Sequence, residues 1–490
     1  MSLKSALSRR SFLSGLSAMT GGLLIPAELE AKAKKSKSAP ASVDGSPIVP
    51  IKTGLGSTGD IYAELGVRPL ININGTVTVI GGSVMSPETM ELMRLGNQHF
   101  CLIDELEVAA GKWIAKLCKS PAGYTGLVTG GAAAALVVGY AGMMTEDWEN
   151  RIRQLPDVTG IPKTEVIIQK AHRYPFDHQI RQTGATLVEV ETKEQMINAI
   201  NPKTLAIHYL NIQSDRGQVN GPDTIEIAKA HNLYTFNDAA ADVPPIERLW
   251  TFPEQGWDMV TWSGGKDMKG PQATGLLIGK EQLMSYALLN MSPQEDRIGR
   301  PCKVGKEAIF AFLKALEQFV NQDYDETLNS YDARAKVISD AIAKFGVTAL
   351  PREFNPNALG NVTPRYSWQI DSTKVNITGQ QVMQALADTQ PVGIGSMGAG
   401  ASGMRGRWPE GMSENDVQEG VNTSYEGGAG TGGQVTADNN GGQARGRGGR
   451  GGRGNRDPHT FGFSMWQLKD GEDKIIADRL VEIFSQAPKA

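Results

Sequence analysis

Lys266 stands in Ser263-Gly264-Gly265-Lys266, behind the apolar run Met259–Trp262 and ahead of Gly270-Pro271-Gln272. A lysine in a glycine-lined turn at a strand end reaches into a pocket. If its pKa is lowered there, its amine can form a Schiff base with an aldehyde cofactor. Alone, such a residue is just as well a surface lysine, which is how Lys269 reads. Asp238, in Asn237-Asp238-Ala239-Ala240-Ala241, follows the run Tyr234–Asn237. It is either a helix N-cap or a fixed carboxylate that holds a protonated ring nitrogen. Thr129-Gly130-Gly131-Ala132 opens an apolar helix. Small residues there let backbone N–H groups close around an anion, and the helix N-terminus favours negative charge, so a phosphate suits the turn. Tight packing is the plainer explanation of the same glycines.

Each feature is weak by itself, but their order is informative. Phosphate cradle, aspartate and lysine, each after a strand, form the layout of a pyridoxal phosphate enzyme. The aspartate keeps the pyridine nitrogen protonated, so the ring accepts the electrons of a carbanion at the substrate's α-carbon. Lys266 anchors the cofactor and, once released by substrate, serves as the base for the α-proton. Five further residues are candidates of lower specificity. His172, after the run Glu165–Gln169, is placed to stack on the cofactor ring or to cap a helix. Arg365 offers a bidentate fork for a substrate carboxylate or phosphate. Arg300 and Lys303, with Lys306, make a basic patch suited to a phosphorylated substrate or simply to solvent.

The elements that position these residues alternate. Short apolar runs occur at Glu165–Gln169, Thr186–Val190, Leu205–Tyr209, Tyr234–Asn237, Met259–Trp262 and Gly275–Ile278. Helical patterns separate several of them, such as Ile225–Ala230 behind Asn220-Gly221-Pro222-Asp223. Upstream, Ser86 and Pro87 open a helix through Leu95, and Leu106 to Leu117 repeats at helical spacing. Strand and helix in alternation predict an α/β chain with a mostly parallel sheet, whose ligand lies beyond the carboxyl ends of the strands. A long helix from Gly305 leads into a smaller α/β region that ends in a helix over 473–484.

The chain has 490 residues, 49 Lys plus Arg against 53 Asp plus Glu, and 40% hydrophobic residues. A pI near 6.0 gives no global argument for nucleic acid or anionic membrane as partner. Cys101, Cys118 and Cys302 lack metal-ligand spacing, so neither a metal site nor a disulfide framework is expected. The first 33 residues carry Arg9-Arg10, Phe12-Leu13, an apolar stretch to Ile25 and Ala31-Lys32-Ala33. That order predicts a twin-arginine export signal, hence a periplasmic or otherwise exported protein. The apolar stretch is too short to span a bilayer, so no stable membrane insertion is expected. Residues 34–59 read as a linker. Residues 427–456 read as a disordered insert, because 13 of the 28 residues from Gly427 to Gly454 are glycine. Its Arg445–Arg456 run fits a surface loop better than an RNA-binding segment, since it has no aromatic residues to stack on bases.

Ser263-Gly264-Gly265-Lys266 with Gly270-Pro271-Gln272 resembles the lysine motif of the selenocysteine synthase (L-seryl-tRNA selenium transferase) family. That family includes D-glucosaminate-6-phosphate ammonia-lyase-like proteins. Gly66-Val67-Arg68-Pro69, Gly81-Gly82-Ser83, Ile180–Ala185, Gly299-Arg300-Pro301 and Gly471-Glu472-Asp473 support the resemblance, which runs from about Asp60 to the C-terminus apart from the insert. It implies an aspartate-aminotransferase-like (fold type I) architecture, with a large pyridoxal phosphate-binding domain over 60–304 and a small domain over 305–490. It further implies that Lys266 bonds the cofactor, Asp238 pairs with the pyridine nitrogen, and Gly130 to Ala132 form part of the phosphate cup. The expected chemistry is β-elimination, β-replacement or ammonia-lyase chemistry on an amino acid or amino sugar acid. Transamination and cofactor binding without turnover are the alternatives. The family's N-terminal tRNA-binding region has no evident counterpart and an exported chain would not meet seryl-tRNA, so no tRNA partner is expected. A homodimer or higher homo-oligomer is.

Overall fold

The computed structural model describes residues 51–354, 360–395 and 457–490. The export signal, the linker up to residue 50 and the glycine-rich insert lie outside the described residues. The body of the chain, 51–490, is one contact unit.

Its main layer is a seven-stranded sheet. The strands are β2 (Tyr124–Thr129), β3 (Glu165–Gln169), β4 (Thr186–Val190), β5 (Thr204–Leu210), β6 (Tyr234–Asp238), β7 (Met259–Ser263) and β8 (Gly275–Lys280). Their order is β2-β8-β7-β6-β5-β3-β4. β7, β6, β5, β3 and β4 pair in parallel, while β8 runs antiparallel to both neighbours, β2 and β7. The strands read as near-continuous apolar runs because both faces are covered. On one face Tyr140, Phe236, Met259 and Leu277 pack with Leu283 and Met284. On the other, Val128, Val260, Trp262, Leu276 and Ile278 meet Ile114, Ile309, Phe312 and Leu316. The helix Ala132–Thr145 is buried along nearly its whole length, which is why it is apolar all round.

Helix starts follow local chemistry. Ser86 accepts a hydrogen bond from the Thr89 amide and caps Pro87–Gly96, and Asn220 does the same from the Asp223 amide for Gly221–Ala230. The helix Lys306–Asn321 packs on the main sheet through Ile309, Phe312 and Leu316.

A second sheet, β12-β10-β9, is antiparallel and joins Val347–Ala349 (β9), Arg365–Ile370 (β10) and Thr460–Ser464 (β12). Trp368, Phe461 and Phe463 on it pack with Ile338 and Leu480 from the helices Tyr324–Ile342 and Glu472–Gln486. Leu70–Ile71 (β1) pairs in parallel with Gly393–Ile394 (β11), and Ile71 and Ile73 sit in this second core. The chain thus enters the C-terminal layer before it builds the main sheet. Among the described residues no helix is long and apolar enough to cross a membrane.

Candidate active site

The predicted residues converge on the carboxyl edge of the main sheet. β2 ends at Thr129 and β7 at Ser263, and both stand opposite Gly275, the first residue of β8. The anion-cradle turn and the lysine turn therefore flank one strand. Thr129 Oγ1 donates to the Gly131 carbonyl at 2.9 Å. Gly131 has φ +112°, and a Cβ there would meet nothing within 4 Å, so the turn opens onto free space at its glycine. The helix that follows has no side-chain cap, which leaves its first amides available to an anion. At Gly275 a Cβ would lie 2.4 Å from the Gly131 carbonyl carbon. This glycine closes the cradle, and no single-sequence pattern singles it out.

The lysine turn is clasped by backbone. The Gly264 amide donates to Thr274 O at 2.9 Å, Gly270 to Gly264 O at 2.9 Å and Lys269 to Lys266 O at 3.0 Å. Ser83 Oγ donates to Gly265 O at 3.0 Å, which explains why Gly81-Gly82-Ser83 accompanies the lysine motif. A Cβ on Gly265 would stand 2.5 Å from Gln272 Cα, a backbone atom that cannot swing away. Gly265→Ala is therefore expected to destabilise the protein by about 1–3 kcal/mol and to displace Lys266. A thermal melt beside a cofactor titration checks this, and unchanged melting and binding would contradict it.

Lys266 is partly buried. Burial lowers the pKa of its ammonium, opposed by the charges of Asp238, Asp267 and Asp242. Asp238 is the last residue of β6, with no helix directly after it, so the helix-cap alternative does not apply. Burial pushes the Asp238 carboxyl up. A hydrogen bond from Tyr174, another from the Ala240 amide at 3.0 Å and the charge on Lys266 hold it down. His172 is fully buried and stands edge-on to Tyr209, with ring centroids 4.8 Å apart. Burial lowers its pKa to about 4, so the ring is neutral at physiological pH. Its Nε2 makes no hydrogen bond among the described residues.

The basic candidates separate. Arg300 and Lys303 are exposed, but the backbone between them reaches the cradle: a Cβ on Gly130 would lie 2.9 Å from Cys302 O. Lys306 donates to Gly96 O at 3.0 Å and to Asn97 Oδ1 at 3.2 Å, so it caps the end of Pro87–Gly96 rather than joining a substrate patch. Arg365 begins β10 and donates to Gly462 O at 3.0 Å. Lys269 is exposed, as its plain reading predicts.

Several residues of the site escaped sequence reading. Asp267 receives a hydrogen bond from Asn361 at 3.0 Å, and burial pushes its carboxyl up to about 7. Asp242 is buried with its carboxyl pushed up to about 6, and stands 3.9 Å from Arg248. Tyr174 reaches Asp238 from the loop that carries His172. Each looks like an ordinary loop or strand residue until the chain is folded. Among the described residues no cluster of His, Cys, Asp or Glu has a metal-binding arrangement.

Residues 164–292 match the aminotransferase class-V domain. The chain is 26% identical over 340 residues to D-glucosaminate-6-phosphate ammonia lyase of Salmonella typhimurium, covering 67% of this chain and 87% of that one. It is 23% identical over 338 residues to L-seryl-tRNA(Sec) selenium transferase of Desulfomicrobium baculatum, covering 62% and 66%. A solved structure of D-glucosaminate-6-phosphate ammonia-lyase superposes with a TM-score of 0.65 at 22% identity, covering 87% of this chain and 99% of that one. The fold is that of the class-V aminotransferases, and pyridoxal phosphate is the cofactor that goes with it. The residues present fit that group. An open glycine turn at an uncapped helix start suits a phosphate, a buried carboxylate suits a ring nitrogen, and the Nε2 of buried His172, without a hydrogen-bond partner among the described residues, is open to a ligand.

Proposed function

We infer, from the class-V domain and the site at its strand ends, that this pyridoxal phosphate-dependent enzyme removes or replaces a group at Cβ of an amino acid or amino sugar acid. Ammonia-lyase chemistry on a sugar acid is included in that reading. The observation that carries it is the pairing of Lys266, clasped in its glycine turn, with the buried carboxylate Asp238 on the adjacent strand. When bound, the cofactor supplies an electron sink for a carbanion at the substrate's α-carbon. Thr129, Gly130, Gly131 and Ala132 hold its phosphate, and Asp238 holds the proton on its ring nitrogen. His172, neutral and buried, supports the ring, and Ser263 sets the start of the lysine turn. Lys266 provides the covalent anchor. Because burial lowers its pKa, its freed amine is a competent base for the α-proton.

Purified protein, loaded with pyridoxal phosphate, is tested on D-glucosaminate-6-phosphate and on amino acids with a leaving group at Cβ. Release of ammonia with a keto acid in equal amounts supports the reading. A keto acid formed only together with an aminated acceptor would replace it with transamination.

Three further statements belong to this proposal. The enzyme forms a homodimer or larger homo-oligomer. Large exposed apolar side chains concentrate between Ile51 and Leu102, with Phe100, Leu65 and Leu102 among the most exposed, and a second copy would cover them. The twin-arginine segment directs the chain out of the cytoplasm. Its substrate is a small molecule rather than a charged tRNA, despite the name of its selenium transferase relatives.

A further inference from the structure

Four buried residues from four elements form a line that ends at the site. Tyr140 lies on the helix that starts at the anion cradle, His208 on β5, Tyr174 in the loop after β3, and Asp238 at the end of β6. Tyr140 and His208 are wholly buried, Tyr174 is 1% exposed and Asp238 3%. Tyr140 Oη is 2.9 Å from His208 Nδ1. His208 Nε2 is 3.3 Å from Tyr174 Oη, and Tyr174 Oη meets Asp238 Oδ2.

Proton counting gives this line one direction. With Asp238 ionised, as its role beside the ring nitrogen requires, its carboxylate only accepts, so the Tyr174 hydroxyl proton points to Asp238. The Tyr174 oxygen is then left to accept. Burial lowers the His208 pKa to about 3, so the ring is neutral and has a single N–H. That N–H must be on Nε2, the nitrogen beside Tyr174. Nδ1 is therefore bare and accepts the Tyr140 proton. Every hydrogen bond donates toward Asp238, and bonds aligned this way strengthen one another.

We propose that Tyr140, His208 and Tyr174 form a one-way hydrogen-bond chain that keeps Asp238 ionised, making them positioning residues for the cofactor's ring nitrogen. The proposal rests on Asp238 being the partner of that nitrogen. The other charged or titratable groups near the chain are Lys266 and Asp242 beside Asp238 and His172 beside His208. None of these supplies a hydrogen-bond proton to Asp238 or His208, so the chain is carried by the tyrosines.

Two measurements test it. In the cofactor-free protein, nitrogen-15 spectra of histidine should show His208 neutral with its proton on Nε2 from pH 5 to 9. A proton on Nδ1, or on both nitrogens, reverses or breaks the chain and overturns the proposal. The second is pyridoxal phosphate affinity against pH for wild type, Tyr174→Phe and Tyr140→Phe. Tyr174→Phe should weaken binding roughly tenfold or more, the size of a lost hydrogen bond to a charged group. It should also move the acid limb upward, because Asp238 then protonates more readily. Tyr140→Phe, two bonds away, should move the limb in the same direction by less. An unmoved limb in both variants, with only melting temperatures lowered, would reduce the chain to packing. Asp238→Asn in the same assay separates the two ideas. If it binds as wild type does, the ring-nitrogen reading fails, while the histidine spectra still judge the chain.

Discussion

Lys266→Ala should abolish turnover, with a loss on the order of 10⁴-fold or more, because one substitution removes both the covalent anchor and the α-proton base. The same variant should lack the yellow absorbance of a lysine-bound aldehyde, which borohydride bleaches in wild type. Lys266→Arg keeps the charge and much of the bulk but no nucleophilic amine, so it should fail equally. The glycine clasp makes the prediction sharp. Gly264, Gly265 and Gly270 leave no room for a neighbouring side chain to take the lysine's place. Exposed Lys269 should not rescue it. A wild-type protein that stays colourless after incubation with pyridoxal phosphate would sink the assignment of Lys266. Retained colour in Lys266→Ala would move the anchor to another lysine.

Asp238→Asn should lower kcat by about 10²–10³-fold, the cost of breaking a buried charge pair at roughly 3–4 kcal/mol, while leaving the fold intact. Asparagine has the same shape and its Oδ1 can still accept from Tyr174, but it cannot hold a proton on the ring nitrogen. The sign of the pH dependence follows from the burial of this group. Asp238 works when ionised, so its contribution is present above its pKa and disappears as pH falls through it. Burial raises that pKa, and Tyr174, the Ala240 amide and Lys266 oppose the rise. The acid limb of the wild-type rate profile should therefore be absent from Asp238→Asn, which stays uniformly slow. Stopped-flow rates across pH 5–9 check this, and a variant within twofold of wild type would contradict it.

Much of this site is legible in the chain because a covered parallel sheet writes itself as apolar runs. Glu165–Gln169 and Thr186–Val190 appear in the structure with the bounds read from the sequence, and the other runs extend by only one or two residues. The strand ahead of the anion cradle, β2, has no apolar run to mark its bounds, because Tyr124-Thr125-Gly126-Leu127-Val128-Thr129 mixes glycine and threonine with few apolar residues. Its glycine is there for Ile114, whose side chain would clash with a Cβ at 2.7 Å, a contact that exists only after folding. The direction of β8 is likewise invisible, since a short apolar run looks the same either way. Tyr140, His208 and Tyr174 lie on three elements and become partners only through the strand order. A signal was present in two of them. A histidine within Leu205–Leu210 and a tyrosine within an otherwise apolar helix are polar groups in places that must supply them with partners.

The antiparallel strand β8 begins where β2 and β7 end, and this gives it the role of a ruler. Adjacent strands stand about 4.8 Å apart, so the anion cradle and the lysine turn are held about two strand spacings from each other by main-chain hydrogen bonds alone. Side chains elsewhere on the edge can change without altering that length. Residues around Arg300, Asp267 and Asn361 are thereby free to diverge among proteins that keep one reach from the glycine cradle to the lysine turn.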